Sequence, residues 1–143
     1  MAFEFHPTDR VLRRRYSTST ALLYPSRYEG FGLPPLEAMA CGCPAVTTAV
    51  GAVPEFAVHD RDALIVHPGD VAAMTNRLEE VLRNQGVRAR LSAEGLLTAQ
   101  RFSLTRIAPL FAAALETAKG GGPGAFAQRA RADAPELPRV TRM

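Results

Sequence analysis

The sequence is short of the features that mark secreted, membrane-spanning and zinc-binding chains. Its two cysteines, Cys41 and Cys43, have one residue between them, and no other cysteine completes a thiolate zinc site. The longest strongly apolar stretch, IAPLFAAAL, is far shorter than the roughly 20 residues that a membrane-spanning helix needs. The N-terminus, MAFEFHPTDR, lacks the apolar core of a signal peptide. We therefore expect a soluble cytoplasmic protein with two free, buried or half-buried thiols.

Excess basic charge is absent from most of the chain. The formal net charge is +3, but residues 1–118 hold twelve basic and twelve acidic side chains, and the excess lies in residues 119–143. A nucleic-acid surface would concentrate Lys and Arg on one face of the folded region, so we expect no nucleic-acid partner. His6, His59 and His67 are scattered without ligand spacing, which makes them surface or loop histidines rather than metal ligands.

Short apolar runs alternate with amphipathic segments, which is typical of parallel strands separated by helices. The strand candidates are FEF, TALLYP, PAVTT and ALIV. We expect an α/β fold, a Rossmann-like parallel sheet with flanking helices, in one domain over residues 1–118. Residues 119–143 are rich in Gly, Pro, Ala and Arg without periodicity and are expected to form a flexible tail.

The helix candidates have recognisable ends. The first follows a cap at Thr8 or Asp9, and the second begins with two prolines and ends at Gly42. A later helix is capped by Asp70, and the helix after residues 87–101 is capped at Ser103. The helix after Asp70 is expected to bury one stripe: Val71, Met74, Leu78, Val81 and Leu82. Pro109 is expected to kink or delimit the last helix.

The stretch SRYEGFGLPPLEAMACGCP, residues 26–44, places two glutamates eight positions apart around a glycine-rich loop. In an open parallel sheet, ligands bind where a loop leads from the carboxyl end of a strand into a helix. The amides of Gly30, Phe31, Gly32 and Leu33 are free to point at a ligand oxygen. The next two residues are prolines, which cannot donate a hydrogen bond and hold the loop in one shape.

Each side chain of this loop has a structural and a functional interpretation. Glu37 is expected in the first helical turn, where the helix dipole stabilises a carboxylate with or without a ligand. Its functional alternative is an acceptor for two vicinal hydroxyls, as a ribose presents. Glu29 is either a solvated carboxylate or a ligand group, and Phe31 is expected to pack against the core. A dinucleotide oxidoreductase is disfavoured because no GxGxxG follows a strand.

The run YPSRYEGFGLPPLEAMACGCPAVTTAVGAVPE closely resembles the C-terminal domain of glycosyltransferase family 4. These are retaining enzymes of the GT-B architecture, and their signature is two glutamates separated by seven residues in the context EGFGLPxLEAMAxGxPVV. The similarity covers most of residues 3–115. It implies transfer of a sugar from a nucleoside diphosphate sugar to an acceptor hydroxyl, with retention at the anomeric carbon. The acceptor class, whether glycan, lipid or small molecule, stays open.

The resemblance also implies residue roles. Glu37 would bind the ribose hydroxyls, and Glu29 would be the catalytic and donor-binding group at the transferred sugar. The amides of Gly30, Phe31, Gly32 and Leu33 would meet sugar hydroxyls and the diphosphate. No metal or other cofactor is expected, because cationic side chains and helix N-termini stabilise the leaving diphosphate in this family.

The sequence departs from the family pattern by omission. The Arg and Lys that grip the diphosphate, and the N-terminal domain that binds the acceptor, have no counterpart, and the only lysine is Lys119. We therefore expect the second half of a GT-B C-terminal domain, either a fragment or a truncated gene product. The resemblance leaves peripheral membrane association of the full enzyme open. The alternative is a non-catalytic nucleotide-binding or interaction module.

Overall fold

The computed structural model describes residues 7–120. The chain divides into two compact units, Met1–Gln100 and Arg101–Met143. The expected strand at residues 3–5 lies outside the described residues, as do residues 121–143 of the expected tail. None of the described helices is both long and apolar enough to cross a bilayer.

The described residues form three strands and six helices, and the expected strands TALLYP, PAVTT and ALIV are all confirmed. In chain order, the elements are α1 Asp9–Thr18, β1 Leu22–Tyr24, α2 Leu33–Ala40, β2 Ala45–Thr48, α3 Val53–Phe56, β3 Leu64–Val66, α4 Val71–Arg83, α5 Gln85–Arg101 and α6 Leu104–Gly120. The one-turn helix α3 was not expected from the sequence. The expected α/β architecture is confirmed.

The strands form a parallel sheet in the order β1-β2-β3 within the described region. Leu22 pairs with Ala45 in the first ladder, and Val46 pairs with Leu64 in the second. Every residue of β2 is buried, which explains why its sequence AVTT shows no polar alternation. Because the strands are parallel, the loops that follow them all leave from one edge of the sheet.

The core lies between the sheet and the helices. Helix α2 packs on β1 and β2, whereas α4 packs on β2 and β3. One buried cluster contains strand residues of β2 and β3 and helix residues of α4 and α5: Val46, Leu64, Val66, Met74, Val81 and Leu91. Two expected helix ends, the start of α4 at Asp70 and the end of α2 at Gly42, are confirmed. The Asp70 side chain accepts a hydrogen bond from the Ala73 amide, and Gly42 has a positive φ of 71° just past α2.

Two details of the helices differ from expectation. The expected stripe of α4 was too wide, because Val71 and Leu82 are 74% and 52% exposed while Met74 and Val81 are buried. Leu82 directly follows Val81 and so lies about 100° round the helix from it. In the second unit, α6 continues through Pro109 to Gly120. The proline therefore does not delimit the helix: it removes one N–H donor, and the other hydrogen bonds of a 17-residue helix remain available.

Candidate functional site

The candidate site is the β1–α2 loop, which we define as residues 25–32. It follows the carboxyl end of β1, and the next loop along the sheet, residues 49–52, follows β2. The Thr48 hydroxyl donates to the Ser26 carbonyl at 2.6 Å, and the Ala52 amide donates to the Phe31 carbonyl at 2.9 Å. These two bonds tie both ends of the β1–α2 loop to the end of β2 and the loop behind it.

The residue Gly51 explains why the two loops can lie so close. Its φ is +56°, and a Cβ atom built there would stand 2.8 Å from the Phe31 carbonyl oxygen and 3.1 Å from that of Glu29. Only glycine combines that backbone conformation with that approach. The Phe31 ring in turn stacks on the buried Phe56 ring of α3, with centroids 5.8 Å apart. The expected packing role of Phe31 is confirmed, although 41% of the residue remains exposed.

Glu29 is anchored by two hydroxyl groups. Its Oε1 atom accepts hydrogen bonds from the Tyr24 hydroxyl and from Ser26 Oγ, the latter at 2.7 Å. These bonds, that of Tyr24 first, hold the pKa of the Glu29 carboxyl below its ordinary value. Burial and the bond to Glu29 raise the pKa of Tyr24 to about 12. At neutral pH the pair is therefore a carboxylate facing a protonated phenol.

Glu37 lies at the beginning of the second turn of α2 rather than in the first turn. The helix begins at Leu33, so Glu37 is its fifth residue and the first turn holds no acidic side chain. The expectation of a first-turn glutamate was wrong because Gly32, rather than a proline, caps the helix and moves its start upstream. The Tyr16 hydroxyl of α1 donates to Glu37 Oε2 at 3.3 Å. Burial, and then the Glu37 charge, raise the pKa of Tyr16 to about 12.

Two prolines reduce the number of amide donors at the start of α2. Gly32 caps the helix with a φ of +90°, and Pro34 and Pro35 follow Leu33. Two of the four N-terminal positions that lack intrahelical acceptors therefore carry no N–H at all. Within the described part of the chain, no acceptor lies on the amides of Gly30, Phe31, Gly32 or Leu33. The structure thus agrees with the expected set of available donors.

The open edge around the loop holds further polar groups. A groove of about 330 Å³ lies at the ends of β1 and β3, lined in part by Leu23, Pro25, Arg27, Thr48, His67 and Met74. Neither Glu29 nor Glu37 lines that groove, so the two glutamates stand outside it. Among the described residues, no group of three His, Cys, Asp or Glu side chains could hold a metal ion. Cys41 and Cys43 are free thiols, half-buried and buried respectively, as expected.

The expected turn at residues 59–62 is confirmed and contains a buried carboxylate. Asp62 has no exposed surface and accepts from the Val58 amide at 2.6 Å, from Arg61 Nη2 at 2.8 Å and from Thr98 Oγ1 at 2.8 Å. His59 also has a structural contact, since its Nδ1 accepts from the Ile65 amide at 2.9 Å. These polar groups tie the turn to β3 and α5 and do not reach the glutamates' loop through any bond described.

Three side chains at the site were not expected from the sequence. Tyr16 was expected only as part of the inner face of α1, Tyr24 only as the end of a strand, and Ser26 only as part of the family motif. One signal was present for the last of them, because a serine three residues before a loop carboxylate is within reach of it. No signal in the sequence paired either tyrosine with a glutamate.

Residues 3–97 match the family model described as Glycosyl transferases group 1. The chain belongs to this family. Among curated glycosyltransferases, O-antigen chain mannosyltransferase B of Escherichia coli is 41% identical over 95 residues, which are 66% of this chain and 24% of that protein. Lipopolysaccharide core biosynthesis mannosyltransferase LpsB of Rhizobium meliloti is 36% identical over 105 residues, 71% of this chain and 30% of that protein.

Solved glycosyltransferase structures share the fold. Sucrose-phosphate synthase from Thermosynechococcus elongatus superposes with a TM-score of 0.67 at 31% identity, covering 71% of this chain and 26% of that one. The C-terminal domain of a group 1 family glycosyl transferase, LpcC, from Francisella tularensis gives a TM-score of 0.63 at 28% identity, covering 68% of this chain and 50% of that domain. The chain spans about a quarter to a third of the length of the two curated mannosyltransferases named above.

Proposed function

We propose that this chain forms the donor-binding part of a retaining glycosyltransferase of family 4. The enzyme would transfer a glycosyl group from a nucleoside diphosphate sugar to an acceptor hydroxyl. The observation that carries the proposal is the pair Glu29 and Glu37, each hydrogen-bonded to a tyrosine, on either side of a loop with available amides. The group 1 family match over residues 3–97 supports it.

In this proposal, one glutamate serves each end of the donor. A carboxylate accepts two hydrogen bonds from vicinal hydroxyls, which is the role proposed for Glu37 at the ribose. Glu29 would accept from a hydroxyl of the transferred sugar. Between them, the amides of Gly30, Phe31, Gly32 and Leu33 would meet sugar and diphosphate oxygens at the positive end of α2. The Phe31 carbonyl accepts from the Ala52 amide, and the Phe31 ring stacks on Phe56. The loop is therefore ordered before the donor arrives.

The proposed chemistry places negative charge where these donors lie. The bond between the anomeric carbon and the diphosphate oxygen breaks with its electron pair on the diphosphate. The acceptor hydroxyl oxygen bonds to the same face of that carbon, and the hydroxyl proton passes to the departing diphosphate oxygen. Preorganised amides and a helix N-terminus stabilise the charge that develops on the leaving group. We propose that transfer needs no metal, which predicts full activity after chelation with EDTA.

The decisive experiment removes each carboxylate in the full-length protein. We expect Glu29→Ala and Glu37→Ala each to lower kcat/KM by about 100-fold or more, since each removes a contact made to the reacting donor. Glu79→Ala, on the exposed surface of α4, is the matched control and should retain wild-type kinetics. Because two relatives are named mannosyltransferases, GDP-mannose is the first donor to test. Unchanged kinetics in both loop variants would refute the proposal.

Three further points belong to the same proposal. Retention predicts that the anomeric configuration of the donor reappears in the product, which NMR of the glycoside bond reports. A cytoplasmic location is supported by the two free thiols, which a reducing compartment preserves. An acceptor-binding N-terminal domain is implied by the family resemblance, and peripheral membrane association of the full enzyme, which the resemblance leaves open, is tested by cell fractionation.

A further inference from the structure

The carboxylate of Glu29 is held through one of its two oxygens. The hydroxyls of Tyr24 and Ser26 both donate to Oε1. In the part of the chain that the structure describes, no hydrogen bond goes to Oε2. Two donors on one oxygen restrict the rotation of the carboxylate, and they leave the lone pairs of the other oxygen for a ligand.

Both donors are attached to the sheet. Tyr24 is the last residue of β1 and pairs with Thr47 of the central strand β2, at the end of the parallel ladder. The carbonyl of Ser26 accepts from the hydroxyl of Thr48, whose residue is 2% exposed. The orientation of the Glu29 carboxylate is therefore set by the ends of two strands rather than by the exposed loop alone.

We propose that Tyr24 is a positioning residue that, with Ser26, aims Oε2 of Glu29 at a hydroxyl of the transferred sugar. The inference rests on the proposed function, because the sugar enters only with the donor. Tyr24 acts through Glu29 and does not itself touch the substrate. Its pKa of about 12 means that the phenol keeps its proton, and so remains a donor, throughout the range in which transfer is assayed.

This arrangement makes a selective prediction for Tyr24→Phe. The substitution keeps the ring and its packing but removes one of the two hydrogen bonds to a charged oxygen. We expect kcat and the affinity for the nucleotide sugar to fall about 10-fold, the size of one charge-assisted hydrogen bond. The affinity for the nucleoside diphosphate without the sugar should be unchanged, because Glu29 faces only the sugar.

The experiment uses the full-length protein and three single variants. Tyr24→Phe and Ser26→Ala each remove one donor to Oε1. Tyr28→Phe is the matched control, since it removes a phenol hydroxyl from the same loop at a residue that is 87% exposed. Calorimetry compares GDP with GDP-mannose and UDP with UDP-glucose, and steady-state kinetics give kcat and KM for whichever donor turns over.

A titration of Glu29 supplies a readout that needs no activity. The bond from Tyr24 is the largest cause of the lowered pKa of Glu29, so Tyr24→Phe should raise that pKa. Carboxyl NMR should show the rise directly, and the acid limb of the pH–rate profile should move to higher pH. Neither change is expected in Tyr28→Phe.

The outcomes separate the two proposals. Loss of sugar-nucleotide affinity alone, with the raised Glu29 pKa, supports the positioning role. Equal losses for the nucleotide with and without sugar, or equal effects of Tyr28→Phe, would overturn it and indicate general damage to the loop. If the wild-type protein binds none of the four probes while Tyr24→Phe still raises the Glu29 pKa, the proposed function has failed although the hydrogen bond is real. The proposed role of Tyr24 in positioning Glu29 toward a sugar would then be refuted as well.

Discussion

Replacing Gly51 by alanine should loosen the β1–α2 loop, although Gly51 itself belongs to the neighbouring loop that follows β2. The new Cβ would stand 2.8 Å from the Phe31 carbonyl oxygen and 3.1 Å from the Glu29 carbonyl oxygen. Both atoms are backbone, so they cannot move aside as a flexible side chain would. Either the β1–α2 loop shifts or the turn at Gly51 opens, and the hydrogen bond from the Ala52 amide to the Phe31 carbonyl is the first contact at risk.

The size of the effect follows from two contributions. Holding a non-glycine residue at the left-handed φ of +56° costs about 1–2 kcal/mol. Losing the Ala52–Phe31 hydrogen bond costs about 1 kcal/mol more. We expect the free energy of unfolding to fall by about 2–3 kcal/mol, which lowers the melting temperature of a domain of this size by roughly 6–15 °C.

Two other glycines separate the contributions. Gly69 has a φ of +87° with no atom within 4 Å of a built Cβ, so Gly69→Ala reports the backbone cost alone. Gly30 has neither a left-handed φ nor a neighbour within 4 Å, so Gly30→Ala should change stability by less than about 0.5 kcal/mol. Urea unfolding of all three variants measures the differences. If Gly51→Ala costs no more than Gly69→Ala, the loop does not rest on Gly51 and the reasoning is refuted.

Two further predictions test the polar contacts. Asp62→Ala should destabilise the protein by about 2–3 kcal/mol, because the Val58 amide loses its acceptor and the hydrogen bond from the Thr98 hydroxyl is lost, and a loss below about 1 kcal/mol in urea unfolding would contradict this. Tyr16 and Tyr24 should ionise near pH 12 rather than 10.0, as ultraviolet difference absorbance reports. Because their pKa values are raised in the folded state, the stability they contribute is complete below pH 10 and is lost as the pH rises toward 12. Two tyrosines that ionise near pH 10 would show that the phenol–carboxylate pairs do not form.

The local features of the fold were largely predictable. The runs TALLYP, PAVTT and ALIV are short and apolar between turn residues, and each became a strand. Asp70 caps α4 because an aspartate before an amphipathic segment competes well for the free amides of the first turn. The prediction of which α4 residues are buried failed in part, because tertiary packing determines which positions are covered. Val71 and Leu82 fit the period of α4 but lie beyond the arc that the sheet covers.

The candidate site divides in the same way. Its glutamates and available amides are adjacent in sequence, and the motif that contains them resembles a known family, so the sequence identified them without a structure. The partners of those glutamates are not adjacent. Tyr16 lies 21 residues before Glu37 in the sequence. Neither this spacing nor the residue type predicts the contact.

The sequence by itself therefore determined the order of strands and helices, the composition of the loop and the family to which the chain belongs. These depend on the period of apolar residues and on short-range chemistry, both of which can be read along the chain. Only the tertiary structure decided that α2 starts at Leu33, that Gly51 lies against the Phe31 carbonyl, and that Tyr16 and Tyr24 hold the two glutamates. Such contacts depend on the distance and direction between side chains on separate elements, which packing of the sheet against its helices sets.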